Sequence, residues 1–153
     1  MSEINIIKRD GSQEPLDYEK INRVVLWATE NIKGVNASDV VMNAHLQLAD
    51  GMKSMDIHKI LIQSACDLIT EKTPNYQYVA SELLNFYIRK EVFGVQDNLP
   101  PLYDVILKNV NNGVYDKKIF QDYTEDEINK LNKAIRHQRD YNFTYAGLQQ
   151  LKI

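Results

Sequence analysis

A chain of 153 residues has room for one or two small cores, and 44% apolar with 25% charged residues is the balance of an ordinary soluble globular protein. A net charge of −3 argues against bulk attraction to nucleic acid or an anionic membrane, so any phosphate binding must come from a local cluster of Lys and Arg. The single cysteine, Cys66, excludes an internal disulfide and a zinc-cysteine set and suits a reducing cytosol, and no run of about 18 apolar residues exists to span a membrane.

Met1 to Arg9 places its two bases after a very short apolar run and includes Glu3, the reverse of a signal peptide. Asn5–Lys8 reads as a short strand, Asp10-Gly11 as a hairpin turn, and Gln13–Leu16 as the returning strand, which Pro15 confines to an edge. Asp17 is placed to cap a helix from Tyr18 to about Ile32, with Ile21, Val24, Val25, Ala28 and Ile32 on its apolar face and Gly34 at its end. A second helix is expected over about Ser38–Ala49, with Val40, Val41, Ala44 and Leu48 inward. Met52-Lys53 reads as a short strand added to the hairpin. Ser54 is expected to cap a third helix bearing Ile57, Ile60, Leu61, Ala65, Leu68 and Ile69. Thr73-Pro74 signals a fourth, with Thr as cap and Pro at the first helical position. That helix carries Val79, Leu83, Phe86 and Tyr87 and runs to about Phe93, before Gly94.

Residues 95–101, with Asn98 and Pro100-Pro101, read as a linker and domain boundary. A helix over about Leu102–Val110 follows, stopped by Asn111-Asn112-Gly113. Thr124-Glu125-Asp126-Glu127 is a capping box opening a helix to about Arg139. A last helix begins near Phe143 and is expected to pair outside this chain. No internal repeat or low-complexity tract is present.

Few residues suggest chemistry. Lys8 and Arg9 at a tight turn could hold phosphate oxygens, Arg as a bidentate donor; a solvated hairpin tip is the plainer reading. Lys20 lies in the first turn of a helix, where a bound anion would offset an unfavourable dipole; alone it is an exposed lysine. His58 follows Ser54 and Asp56 at a helix start and could stack on a base, though a lone His is more often a satisfied residue. Phe86 and Lys90, four apart on one helix, offer an apolar wall with a charge beyond it, or simply a core Phe with a snorkelling Lys. Cys66 reads as a small apolar residue. The acids at Asp122 and Glu125–Glu127 read as caps rather than metal ligands, Arg136, His137 and Arg139 as a solvated face, and Tyr76 and Tyr78 as packing.

Taken together these pieces match a pattern. IIKRDGSQEPLDYEKI, from Ile6, resembles the opening of an ATP-cone domain, and DGMKSMDIHKILIQSACDLI and PNYQYVASELLNFYIRKEVFG resemble its remaining half. PPLYDVILKNVNNGVYD and DYTEDEINKLNKAIRHQRDYNFTYAGLQQLK extend the likeness to the amino-terminal part of class I aerobic ribonucleotide reductase large subunits. The resemblance covers essentially the whole chain. It implies a mainly α fold: a β-hairpin or three-stranded cap on a four-helix bundle over residues 1–94, a linker at 95–101, and an incomplete helical segment at 102–153 leading toward a catalytic barrel.

The resemblance also implies a role. The cone would be an overall-activity site where ATP, with Mg2+, activates and dATP inhibits. Lys8, Arg9, Lys20 and Lys90 match positions that hold the triphosphate. Glu14, Asp17, Ile21, Ser54 and His58 match those around base and sugar, with Phe86 as a wall. Asp56 matches a position tied to ATP/dATP discrimination. Ile6 stands where close relatives have Val, Ser54 where Thr is common, and Asp17 where some have Asn. The family's barrel, redox cysteines and radical cysteine are not among these residues, and Cys66 matches none of them. The resemblance therefore implies a chain inactive alone, either a piece of a longer protein or one half of a split subunit. It would work in the cytoplasm with the rest of the large subunit, a radical-generating small subunit and a large-subunit dimer. A cone serving only assembly, or a cone-containing transcription regulator, are the competing readings; the second needs zinc cysteines that this chain lacks.

Overall fold

In the computed structural model, which describes residues 4–152, the chain enters through a short hairpin whose geometry follows from one glycine. The expectations for Met1–Glu3 and for Ile153 lie outside the described residues. Strand β1 (Asn5–Ile7) pairs antiparallel with β2 (Gln13–Pro15), Ile6 opposite Glu14. The Lys8 amide donates to the Ser12 carbonyl at 2.8 Å and the Gly11 amide to the Lys8 carbonyl at 3.0 Å. The connection is thus a tight turn closed by Gly11 at φ +83°, the left-handed position of a bulged loop, rather than a two-residue turn centred on Asp10-Gly11. Asp10 accepts from the Ser12 amide and hydroxyl at 2.9 and 2.6 Å, which rigidifies the tip. Strand β3 (Met52–Lys53) adds parallel to β1, giving the order β2-β1-β3 with Pro15 on an edge strand, as its missing N–H requires.

Between β2 and β3 run two helices. Helix α1 (Tyr18–Thr29) begins at Asp17, whose carboxylate accepts from the Lys20 amide at 3.0 Å. It stops at Thr29 rather than Ile32. The Thr29 hydroxyl donates to the Val25 and Leu26 carbonyls, and the chain turns, still laying Ile32 against the core. Helix α2 (Ala37–His45) is capped by Asn36 and is shorter than the expected span to Ala49.

Helix α3 (Ser54–Asp67) follows β3 without a break. Ser54 is therefore its first helical residue, and the capping position falls to Lys53, which makes no side-chain cap; the expected Ser54 cap is corrected. Thr73 is corrected similarly. Its hydroxyl donates back to the Leu68 carbonyl at 2.8 Å, closing α3 instead of opening the next helix. Pro74 and Asn75 form a tight turn, and helix α4 (Tyr76–Phe93) starts two residues later than expected.

The contacts divide the chain into two compact units, one of residues 4–88 with 140–152, the other of residues 89–139. The first unit has a continuous core: Ile6 from the sheet, Val25 and Ala28 from α1, Val40 and Ala44 from α2, Leu61 and Ala65 from α3, Val79 and Leu83 from α4. Tyr76, buried at the start of α4, accepts from the Asn36 amide at 3.0 Å and donates to the Asp39 carboxylate at 3.1 Å, and burial pushes its phenol up. Tyr76→Phe should cost about 1–2 kcal/mol. Urea unfolding should show a lower midpoint with an unchanged slope.

In the second unit, α5 (Leu102–Asn111) and α7 (Glu125–Ala134) bury Ile106 and Ile128, and the Leu102 amide donates to Asn132 Oδ1 at 2.9 Å. The Thr124–Glu127 capping box is present in both directions. A one-turn helix, α6 (Ile119–Asp122), joins them; no periodicity marks so short a segment. Helix α7 ends at Ala134, short of Arg139, and a 3-10 turn spans His137–Asn142. Helix α8 (Tyr145–Lys152) belongs to the first unit. It buries Leu148 in that core and sets the Lys152 ammonium 4.9 Å from the Tyr87 ring, so it is not the unpartnered helix that the sequence suggests.

Candidate functional site

The hairpin presents its two cations differently. Lys8 Nζ lies 2.7 Å from Glu14 Oε2, a diagonal pair across β1 and β2. The Glu14 hydrogen bond and charge hold the Lys8 ammonium above its usual range. Both side chains remain substantially exposed, so the pair contributes little stability and Lys8 is able to exchange Glu14 for a stronger anion. Arg9 stands exposed on the loop beside it.

Sheet register carries this hairpin to the start of α3. Ile6 pairs with Met52 and Ile7 with Lys53, and Ser54 follows at once. Two further bonds close the seam, from the Gly51 amide to the Asn5 carbonyl and from the Asn5 amide to Asp50 Oδ1, each 2.8 Å. Ser54 and Asp56 occupy the first turn of α3, and the Asp56 carboxylate pairs with Lys59 at 3.3 Å on its own helix. His58 lies one turn further. Its ring stacks on Phe86 of α4, centroids 5.1 Å apart and planes 28° apart, with Tyr87 at 6.5 Å. Both His58 and Phe86 are half-buried.

The other expected residues sit on the same elements. The Asp17 carboxylate caps α1 and lies 3.7 Å from Arg23. Lys20 is exposed in the first turn, and Ile21 is buried in the core. Lys90 is half-buried on α4, one turn beyond Phe86. The geometry thus brings together Lys8 with Glu14 and His58 with Phe86, whereas Asp17 and Asp56 are engaged within their own helices.

Sequence reasoning missed Trp27, whose indole meets Phe86 edge-on at 5.9 Å and Tyr141 at 6.0 Å. Its place beside Val24 and Ala28 on α1 was a usable signal, since those positions share a face. Cys66 is half-buried. Burial pushes its thiol up, partly opposed by a hydrogen bond with Tyr145, which makes it a poor nucleophile. Among the described residues no group of three or more His, Cys, Asp or Glu could hold a metal ion, and no helix is long and apolar enough to cross a membrane.

Stacked rings on α3 and α4, and a cationic turn on the hairpin that β3 joins to α3, suit a flat base with a charged tail. Residues 4–91 match the ATP cone domain. The chain is 43% identical over 147 residues to ribonucleoside-diphosphate reductase 1 subunit alpha of Escherichia coli (strain K12), covering 96% of this chain and 19% of that protein. It is 40% identical over 147 residues to the Haemophilus influenzae alpha subunit, covering 96% and 19%. To the alpha subunit of Enterobacteria phage T4 it is 40% identical over 152 residues, covering 99% and 20%. The chain spans about a fifth of the length of the curated relatives it matches. With its small three-stranded sheet, its helices and its match over residues 4–91, the chain belongs to the ATP-cone family.

Proposed function

We propose that this chain is the overall-activity portion of a ribonucleoside-diphosphate reductase large subunit. It binds ATP as activator or dATP as inhibitor and so controls the reduction of ribonucleotides to deoxyribonucleotides for DNA synthesis. Residues 1–94 are the nucleotide-binding domain, whose core also takes in Leu148 of α8, 95–101 are a linker, and the rest of 102–153 is the helical lead toward the catalytic barrel.

The observation that supports this reading best is the register of β1 with β3, which joins the cationic hairpin to the helix whose His58 stacks on Phe86. The two rings offer an aromatic platform for the base, and Lys8, Arg9, Lys20 and Lys90 supply charge for the triphosphate. Glu14, Asp17, Ile21 and Ser54 border base and sugar, and Asp56 tunes the choice between ATP and dATP. Mg2+ arrives with the nucleotide.

Catalysis belongs to the remainder of the subunit, because the reaction needs a thiyl radical and a dithiol and Cys66 is a single half-buried thiol. The partners are that remainder, the radical-generating small subunit and a second large subunit, in the cytoplasm. Titration calorimetry of the chain with Mg-ATP and Mg-dATP tests the reading. Saturable binding is expected, weakened about tenfold or more by Lys90→Ala. No heat with either nucleotide, or binding indifferent to Lys90→Ala, overturns it.

A further inference from the structure

Helix α4 carries two residue pairs, one position out of step. Phe86 and Lys90 form the first, four residues apart and so on one face. Asn85 and Arg89 form the second, turned by about 100° around the axis. Neither Asn85 nor Arg89 belongs to the nucleotide site proposed above, yet both are nearly fully buried, 5% and 7% exposed.

Burying an amide and a guanidinium is unfavourable unless their donors are used. Here they reach backbone carbonyls. In the first unit, Asn85 Nδ2 donates to the Asp140 carbonyl at 2.8 Å. In the second, Arg89 Nη2 donates to the His137 carbonyl at 3.2 Å and Nη1 to the Gln96 carbonyl at 3.3 Å. Asp140 and His137 lie in one short 3-10 turn, His137–Asn142. Tyr141 of that turn meets Trp27, and Trp27 meets Phe86, the ring that stacks on His58. The same turn is therefore touched twice by the surroundings of the nucleotide site, through α4 donors and through an aromatic chain.

We infer that Asn85 and Arg89 are positioning residues of the nucleotide response, tying the last turns of α4 to the His137–Asn142 turn so that a ligand on Phe86 and Lys90 orders that turn. The inference rests on the nucleotide reading of the site. Its physical basis is the rigidity of a helix. Adjacent residues hold a fixed angle, so a ligand that draws Lys90 and Phe86 also fixes Asn85 and Arg89, and their carbonyl partners follow. A 3-10 turn has weak hydrogen bonds of its own, so its order depends on such outside donors.

Hydrogen exchange read by mass spectrometry on the whole chain, with and without Mg-ATP, tests this. In the wild type, Mg-ATP should slow exchange across residues 137–142 by about fivefold or more. Asn85→Ala and Arg89→Met should bind Mg-ATP within about threefold of wild type by calorimetry and lose that protection. Asn85→Ser, a milder change, should lose it too, which keeps the test open if Arg89→Met fails to fold. Wild-type binding without protection at 137–142, or protection retained in the folded variants, overturns this inference alone. Absence of wild-type binding overturns the nucleotide reading and this inference with it.

Discussion

Lys8→Glu is expected to weaken Mg-ATP binding by about 100-fold or more, read by titration calorimetry. The substitution removes a cation proposed to bind the triphosphate and puts a like charge in its place. It also sets two carboxylates where Lys8 Nζ and Glu14 Oε2 now stand 2.7 Å apart. Those charges would push the hairpin strands apart at the tip, although both side chains reach solvent and screening softens the effect. The double variant Lys8→Glu with Glu14→Lys separates the two causes. It rebuilds the cross-strand pair in the opposite sense and returns a cation to the hairpin, so part of the binding should come back. Undiminished binding by Lys8→Glu would remove Lys8 from the site.

Leu83→Ala should be the most damaging single truncation to stability, about 3 kcal/mol, because the cavity is added to the lost transfer free energy. Leu83 is 1% exposed at the centre of α4. Around it the helix also buries Val79, Ala80, Leu84 and Tyr87, so neighbouring elements close on several sides and cannot collapse into the space. The urea midpoint should fall with the slope unchanged, and the thermal midpoint should drop by about 10 °C. Leu46→Ala at the C-terminal cap of α2, at 88% exposure, is the control and should change stability by less than about 0.5 kcal/mol. Equal losses at the two leucines would mean that α4 is not the centre of the core.

Much of the fold was legible because its signals act over one turn of chain. Asp17 caps α1 and Thr124 caps α7, as their residue types and spacing imply. Gly94 takes a positive φ after α4 and returns its amide to the Lys90 carbonyl. The misread caps, Ser54 and Thr73, have the same chemistry as the correct ones. At Ser54 the helix starts directly after β3, so that serine is already helical, and at Thr73 the hydroxyl is claimed by the Leu68 carbonyl. On helix α4 the sequence singles out Val79, Leu83, Phe86 and Tyr87, yet the helix buries most of its circumference. Ser81, Asn85 and Arg89 look like surface residues until the elements that cover them are known.

The candidate site divides the same way. Lys8, Arg9, His58, Phe86 and Lys90 could each be picked out by type and local position, and each had a plainer explanation alone. Residue type and short-range periodicity by themselves determined the hairpin, the helices of the cone and the cations at its turn, since turns, caps and amphipathic faces depend on neighbours within about four residues. Only the tertiary structure decided that β3 joins the hairpin on the β1 side and parallel to it, that His58 meets Phe86, that Trp27 and Tyr141 join that ring cluster, and that α8 buries Leu148 in the cone core. Those contacts join residues tens of positions apart. Their partners are selected by the burial of whole faces, which no short stretch of chain specifies.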